Sequence, residues 1–199
     1  MASVHDNQSA ATSEVNMTID PAHMNLLDEY NTGDNPHSGR TLRDHLIGTH
    51  DLIREWGNPG HVASGALFHS IYGTQAYRVS SADLQCRPHI ASVIGEQAEE
   101  LAYLFCVSDR VGLFFEADKP NPRLWDYRRS ELVPVAPQAV AELIEIEIAN
   151  YVEQIEPSRP LAERQISRRN QMFARGEPYM SAGAKKAFQD MQARTVIAR

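Results

Sequence analysis

The chain has 199 residues, 19 lysines and arginines against 26 aspartates and glutamates, and a formal net charge of −7. This length suits one domain with its own hydrophobic core, and the lack of a block of like charge argues against binding to nucleic acid or to a membrane surface. Two isolated cysteines, no N-terminal apolar run and no stretch long enough to span a bilayer predict a cytoplasmic protein with reduced thiols.

The N-terminal residues separate into a tail and the start of a fold. Residues 1–19 are polar and lack periodicity, which predicts a disordered tail ahead of a single all-α domain over residues 20–199. Asp20 followed by Pro21 is typical of a helix start and predicts a first short helix there. Thr41 and Asp44 resemble a capping box, which predicts the start of the next helix.

Two histidines fall on apolar faces of predicted helices. In TLRDHLIGTHDLIREW, His45 shares a stripe with leucines and isoleucine at steps of three and four, so the pattern points it inward. In VASGALFHSI, the positions Val62, Ala66 and His69 share one face, so His69 is also predicted to point inward.

A third predicted helix supplies an inward carboxylate. In VIGEQAEELAYLFCVSDRV, Asp109 ends the row formed by Ala98, Ala102 and Phe105. Two histidines and one carboxylate from three helices are a ligand set for non-haem iron or a similar divalent ion. The alternative is that each buried polar side chain simply hydrogen-bonds across the core.

The rest of the chain predicts a loop, an irregular segment and two further helices. The stretch after Ile71 is predicted to form a loop that lies over the mouth of a pocket, with Tyr72 as a candidate hydrogen-bond donor. The following stretch, GLFFEADKPNPRLWDYRRSELVPVAPQ, predicts an irregular crossing packed by its aromatic side chains. Apolar spacing predicts a helix from Pro137 to Ile155, and Ser181 opens a last helix.

Three strings carry a resemblance to a known family. DHLIGTHDLIREWGNP, ASGALFHSIYGT and VSDRVGL resemble the HD-domain superfamily, whose pattern is a histidine, then a His-Asp pair, then a distant aspartate. The resemblance covers roughly residues 37–112 and implies an HD-like helical bundle. The chain also looks like a poorly characterised bacterial and fungal group of small HD-like proteins that shares HSG…FHSIYGT and EIANYVEQ.

The resemblance implies a metal site with one departure from the family pattern. The two family histidines fall on His45 and His69 and the distal aspartate on Asp109, but the aspartate of the pair falls on Ser70. A neutral hydroxyl is a weak ligand, so one divalent ion is favoured over two. Stringent-response nucleotide hydrolases have an acidic pair where this chain has Tyr72 and Gly73, which disfavours hydrolysis of guanosine tetraphosphate.

The first functional hypothesis is a metal-dependent enzyme that acts on a small polar or anionic metabolite. Its cofactor would be one divalent ion held by His45, His69 and Asp109, with oxygenase-type chemistry for iron or hydrolase-type chemistry for manganese or zinc. Candidate catalytic residues are two histidines that titrate near neutrality, one tyrosine and one arginine that could meet an anionic substrate. These are His37, His50, Tyr72 and Arg110.

Two alternatives remain open from the sequence. The first is a metal-free HD-like protein that binds a ligand or a partner, with Asp109 paired to an arginine and the histidines bonded to hydroxyl groups. The second is a metal-independent enzyme that uses His45 or His69 as a base. A homodimer is compatible with either, but the sequence does not require one.

Overall fold

The computed structural model describes residues 18–37, 39–155 and 163–197, without the side chains of residues 37, 163–168 and 194–197. Apart from Thr18 and Ile19, the predicted tail lies outside the described residues. Within these ranges the chain is mainly helical, which confirms the predicted all-α class. No helix in them is both long and apolar enough to cross a membrane.

Helices and two small hairpins alternate along the described chain. The helices are α1 Pro21–Glu29, α2 Leu42–Glu55, α3 Gly60–Leu67, α4 Arg87–Ile94, α5 Glu96–Val107, α6 Arg110–Glu116, α7 Pro137–Gln154, α8 Glu163–Gly176 and α9 Ala182–Ile197. The strands form two antiparallel pairs, and these are β1 Pro36–His37 with β2 Arg40–Thr41, and β3 Arg123–Asp126 with β4 Glu131–Pro134.

The predicted helix starts at α1 and α2 are confirmed by their caps. The Asp20 carboxylate accepts a hydrogen bond from the backbone N–H of Ala22 at 2.8 Å, and Pro21 occupies the first turn. At α2, the Thr41 hydroxyl accepts from the N–H of Asp44 at 3.1 Å, and the Asp44 carboxylate accepts from the N–H of Thr41 at 3.2 Å. This reciprocal pair satisfies two backbone donors that the helix itself leaves without partners.

The third predicted helix is interrupted twice. Gly95 separates α4 from α5 with a φ of +89°, a conformation that glycine adopts without a steric penalty. The helix α5 then ends at Val107, so Asp109 lies beyond it and does not extend the buried row. The second predicted helix also ends early, because α3 stops at Leu67 and leaves His69 in the turn that follows.

The core is built around the mutual packing of α2, α3, α5 and α7. Leu46 and Ile53 of α2, Val62 of α3, Phe105 of α5 and Ile144 of α7 are all buried there. Because His45 lies on α2 and His69 directly follows α3, this packing brings both histidines into the interior.

Residues 112–138 were predicted to form an irregular crossing, and this prediction is wrong for most of the segment. Helix α6 and the β3–β4 hairpin occupy it, with Trp125 paired across the hairpin to Leu132. Phe114 is buried as predicted, but Phe115 is 52% and Trp125 44% exposed. The alternation of buried and exposed residues along β3 explains the exposure of Trp125, because successive side chains of a strand point to opposite faces.

The α2 capping box gives the first test of this fold. Thr41→Ala should lower the free energy of unfolding by about 1 kcal/mol, measured by urea denaturation, because the Asp44 N–H loses its acceptor. Hydrogen bonds from Thr41 hold the pKa of Asp44 below its usual value, so the loss should shrink as the pH falls through that lowered pKa. Thr41→Ser is the control and should retain the cap, whereas unchanged stability of the alanine variant would contradict the assignment.

Candidate functional site

Two imidazole rings meet inside the helical core. His45 and His69 are both fully buried, and their Nε2 atoms lie 3.1 Å apart. The rings stand at 80° to each other in a T-shaped arrangement, so they are not stacked. The inward orientation that the sequence predicts for both histidines is therefore confirmed.

The third atom of this cluster comes from α7. The side-chain oxygen of Asn150 lies 3.0 Å from Nε2 of His45 and 3.2 Å from Nε2 of His69, which closes a nearly equilateral triangle. The amide is oriented by its neighbours, because its NH₂ group donates to Glu147 at 3.3 Å and its oxygen accepts from Gln154 at 2.8 Å. We refer to His45, His69 and Asn150 as the triad.

The outer ring nitrogens determine where the histidine protons lie. Nδ1 of His69 is 2.6 Å from the carbonyl oxygen of Ala66, which can only accept, so this nitrogen is the donor. Nδ1 of His45 faces the carboxylate of Glu153 in the same way. In neutral rings both Nε2 atoms therefore carry lone pairs, and their contact is a hydrogen bond only if one ring is protonated. Together with the amide oxygen, three acceptor atoms face one another.

Further side chains support the two histidines from behind. The Glu153 carboxylate, 5% exposed, also forms an ion pair with Arg40. The Cys106 thiol lies 3.2 Å from the backbone oxygen of His69 and donates to it, and burial raises the pKa of Cys106 to about 12. The thiol consequently remains protonated and keeps this hydrogen bond over the physiological pH range.

A buried carboxylate on α7 links the triad to two arginines. Glu147, which holds the Asn150 amide, lies 3.2 Å from Nε of Arg110 and 4.0 Å from Nη1 of Arg169. Burial raises the pKa of Glu147, and the two guanidinium groups oppose that rise. Arg110 also stacks on the Phe105 ring, 3.4 Å from the ring centroid, so it packs beside the triad and pairs with Glu147.

The metal-ligand role predicted for Asp109 is not supported. Its carboxylate caps α6, accepting from the N–H of Val111 at 3.3 Å and of Gly112 at 2.9 Å. In the part of the chain that the structure describes, no group of three or more His, Cys, Asp or Glu side chains is arranged to hold a metal ion. His45, His69 and Asp109 are thus not brought together, because Asp109 caps the N-terminus of α6 and does not lie on an inward-facing side of α5.

The other predicted site residues lie in different surroundings. His50 is buried and its Nδ1 is 2.9 Å from the Asp51 carboxylate, and burial lowers the pKa of His50. Tyr72 lies in a turn after α3 and its hydroxyl is a donor, but the side chain is fully buried and donates to Glu99 at 2.8 Å, so it does not lie at a pocket mouth. The side chain of His37 lies outside the described residues.

The predicted site did not include Asn150, Glu147 or Glu153, although the sequence contains a signal for them. All three lie in the string EIANYVEQ, spaced by three residues along a helix that was predicted correctly. Polar residues at that spacing occupy one face of a helix. A polar face inside an otherwise apolar helix indicates a buried polar site.

Comparison with known proteins adds one match. Residues 26–110 match a family model described as a domain of unknown function (DUF6817). This range contains both histidines of the triad and ends before Asn150. No curated protein and no solved structure matches the chain. The relation to the HD-domain superfamily stays a prediction from the sequence.

The environment of Tyr72 generates a second test. Tyr72→Phe should lower the free energy of unfolding by about 1.5 kcal/mol, because a hydrogen bond to a carboxylate is lost while Glu99 keeps its pairing with Arg87. Urea denaturation measures the change. The half-buried Tyr179 is the control, since no hydrogen bond of its hydroxyl is found within the described residues, and Tyr179→Phe should change stability by less than about 0.5 kcal/mol. Equal stability of the Tyr72 variant and the wild type would contradict a structural role.

Proposed function

We propose that this protein is a mononuclear metal-dependent enzyme that acts on a small polar or anionic metabolite, with the ion held by His45, His69 and Asn150. One observation carries the proposal, namely that three acceptor atoms converge at separations of 3.0 to 3.2 Å. Lone pairs that face one another at this distance repel, and a cation among them turns the repulsion into attraction.

The spacing of the triad fits a metal ion. Ligand atoms about 2.1 Å from an ion are about 3.0 Å apart when they meet at right angles and about 3.4 Å apart at tetrahedral angles. The observed separations of 3.0, 3.1 and 3.2 Å run from the first value to the midpoint between the two. They favour an ion that accepts ligands at right angles, such as iron(II) or manganese(II), over tetrahedral zinc.

The surroundings of the histidines also fit a metal ion. A histidine that ligates a metal almost always donates its other ring N–H to a carboxylate or a backbone carbonyl. His45 does so to Glu153 and His69 to Ala66, which in neutral rings directs the lone pair of each Nε2 atom toward the other members of the triad. When bound, iron would supply dioxygen chemistry and manganese would supply Lewis-acid chemistry for hydrolysis.

The charges around the triad favour a polar or anionic substrate. All three proposed ligands are neutral, so they would leave the positive charge of the ion uncompensated. An aspartate ligand would neutralise part of that charge. Three guanidinium groups, those of Arg40, Arg110 and Arg169, accompany the two carboxylates behind the triad. Asn150 is half-buried and Gln154 is exposed, so we propose that a substrate approaches from the α7 side.

The experiment that tests this function is a calorimetric titration of chelator-treated protein with manganese(II), and with iron(II) under anaerobic conditions. Wild type should bind one equivalent. His69→Ala and Asn150→Ala should each weaken binding at least about tenfold, since each removes a ligand, whereas Asn150→Asp should keep it because a carboxylate oxygen also suits these ions. His89→Ala, on an exposed histidine paired with Glu29, is the control and should bind like wild type.

Absence of binding by folded wild-type protein would remove the proposal. Equal affinities of the wild type and the two alanine variants would also remove it, since binding would then lie elsewhere.

A second candidate function is a metal-free protein that binds a ligand or a partner. It is favoured by the direct contact of the two imidazoles, which a single proton on one ring would stabilise as a hydrogen bond. An amide in place of a carboxylate also weakens the case for a metal ligand set. The two functions differ in their response to exhaustive chelation, which should abolish activity in the metal enzyme and leave ligand or partner binding intact in the second case.

A further inference from the structure

We infer that Gly48 is a positioning residue of the triad, because its lack of a side chain makes room for the Glu153 carboxylate beside His45. Gly48 lies on α2, one helical turn after His45. A Cβ atom at this position would lie 2.6 Å from Oε1 and 2.9 Å from Cγ of Glu153. Both distances are shorter than van der Waals contact, so any larger residue displaces the carboxylate. The role in metal binding rests on the function proposed above, whereas the effect on the His45 ring does not.

The conformation of α2 gives no other reason for a glycine here. Gly48 is inside the helix with no positive φ, so its backbone is one that any residue adopts. Glycine is also a poor helix former compared with alanine. The open space toward Glu153 is therefore the feature that the missing side chain provides.

The carboxylate that occupies this space controls the His45 ring. Glu153 pairs with Nδ1 of His45 and with the guanidinium group of Arg40. The same guanidinium group donates to the backbone oxygen of Glu153 at 3.3 Å, which holds Arg40 against the end of α7 at two points. With Nδ1 bonded to a carboxylate, His45 keeps its proton on that nitrogen and turns the lone pair of Nε2 toward Asn150 and His69.

The test is Gly48→Ala, with Gly60→Ala as the matched control. Gly60 is also a helical glycine, on α3, but a Cβ there meets no atom within 4 Å. Gly48→Ala should still fold cooperatively with a thermal midpoint near that of the wild type, because the better helix propensity of alanine offsets part of the pairing that the displaced Glu153 carboxylate loses. Manganese(II) affinity should nevertheless fall about 10- to 100-fold, the usual effect of losing a partner behind a ligand histidine. Gly60→Ala should not change the affinity.

A second readout does not depend on the metal. Nitrogen-15 NMR of the metal-free protein reports which ring nitrogen of His45 carries the proton. Wild type should show the Nδ1–H form, and Gly48→Ala should show a mixture of both forms. Glu153→Gln, which leaves α2 unaltered, should also lower the manganese(II) affinity and should also give a mixture of the two His45 forms. A wild type that binds no metal would overturn the proposed function alone, since the NMR comparison would still decide the role of Gly48.

A double-mutant cycle shows whether Gly48 acts through Glu153. In a Glu153→Ala background the carboxylate is absent, so adding Gly48→Ala should cause no further loss of affinity and no further change in the His45 proton. An equal loss in both backgrounds would overturn the inference. Wild-type affinity together with the wild-type Nδ1–H form in Gly48→Ala would overturn it as well.

Discussion

The convergence of three side-chain atoms, all of which are acceptors when both rings are neutral, is the constraint on which this site depends. Nε2 of His45, Nε2 of His69 and the amide oxygen of Asn150 converge from α2, from the turn after α3 and from α7. The fold holds them together by fixing the opposite side of each group, through Glu153, the Ala66 carbonyl and Glu147. These supporting contacts keep the three lone pairs together. Such an arrangement is suited to binding a cation.

The supporting contacts tie the site to the rest of the molecule. Glu147 connects the Asn150 amide to Arg110, which stacks on Phe105, and the Phe105 ring packs edge-on against His69 at 4.8 Å. The Cys106 thiol, on the same helix as Phe105, donates to the backbone of His69. Helix α5 contributes no atom to the triad, yet it positions one of its three members. A change in the packing of α5 would therefore alter the position of His69 in the site.

Sequence periodicity predicted the helices that carry the histidines better than it predicted the completed site. Most of the stripe around His45 and the whole row of Ala98, Ala102 and Phe105 are buried as expected, because apolar spacing reports which helix face packs inward. Asp109 was misplaced because helical spacing was extended past the end of α5, where a capping role competes with helix continuation. Asn150 lies on a different helix far along the chain, and only tertiary packing of α7 against α2 brings it to the histidines.

The most direct test of metal binding at the triad is a crystal structure of manganese-soaked protein, with anomalous scattering data collected near the manganese absorption edge. Metal binding at the triad predicts one anomalous peak bounded by His45, His69 and Asn150, about 2.0 to 2.3 Å from each of the three atoms. A map with no peak among these side chains, in crystals where manganese is present in the soak, would contradict it.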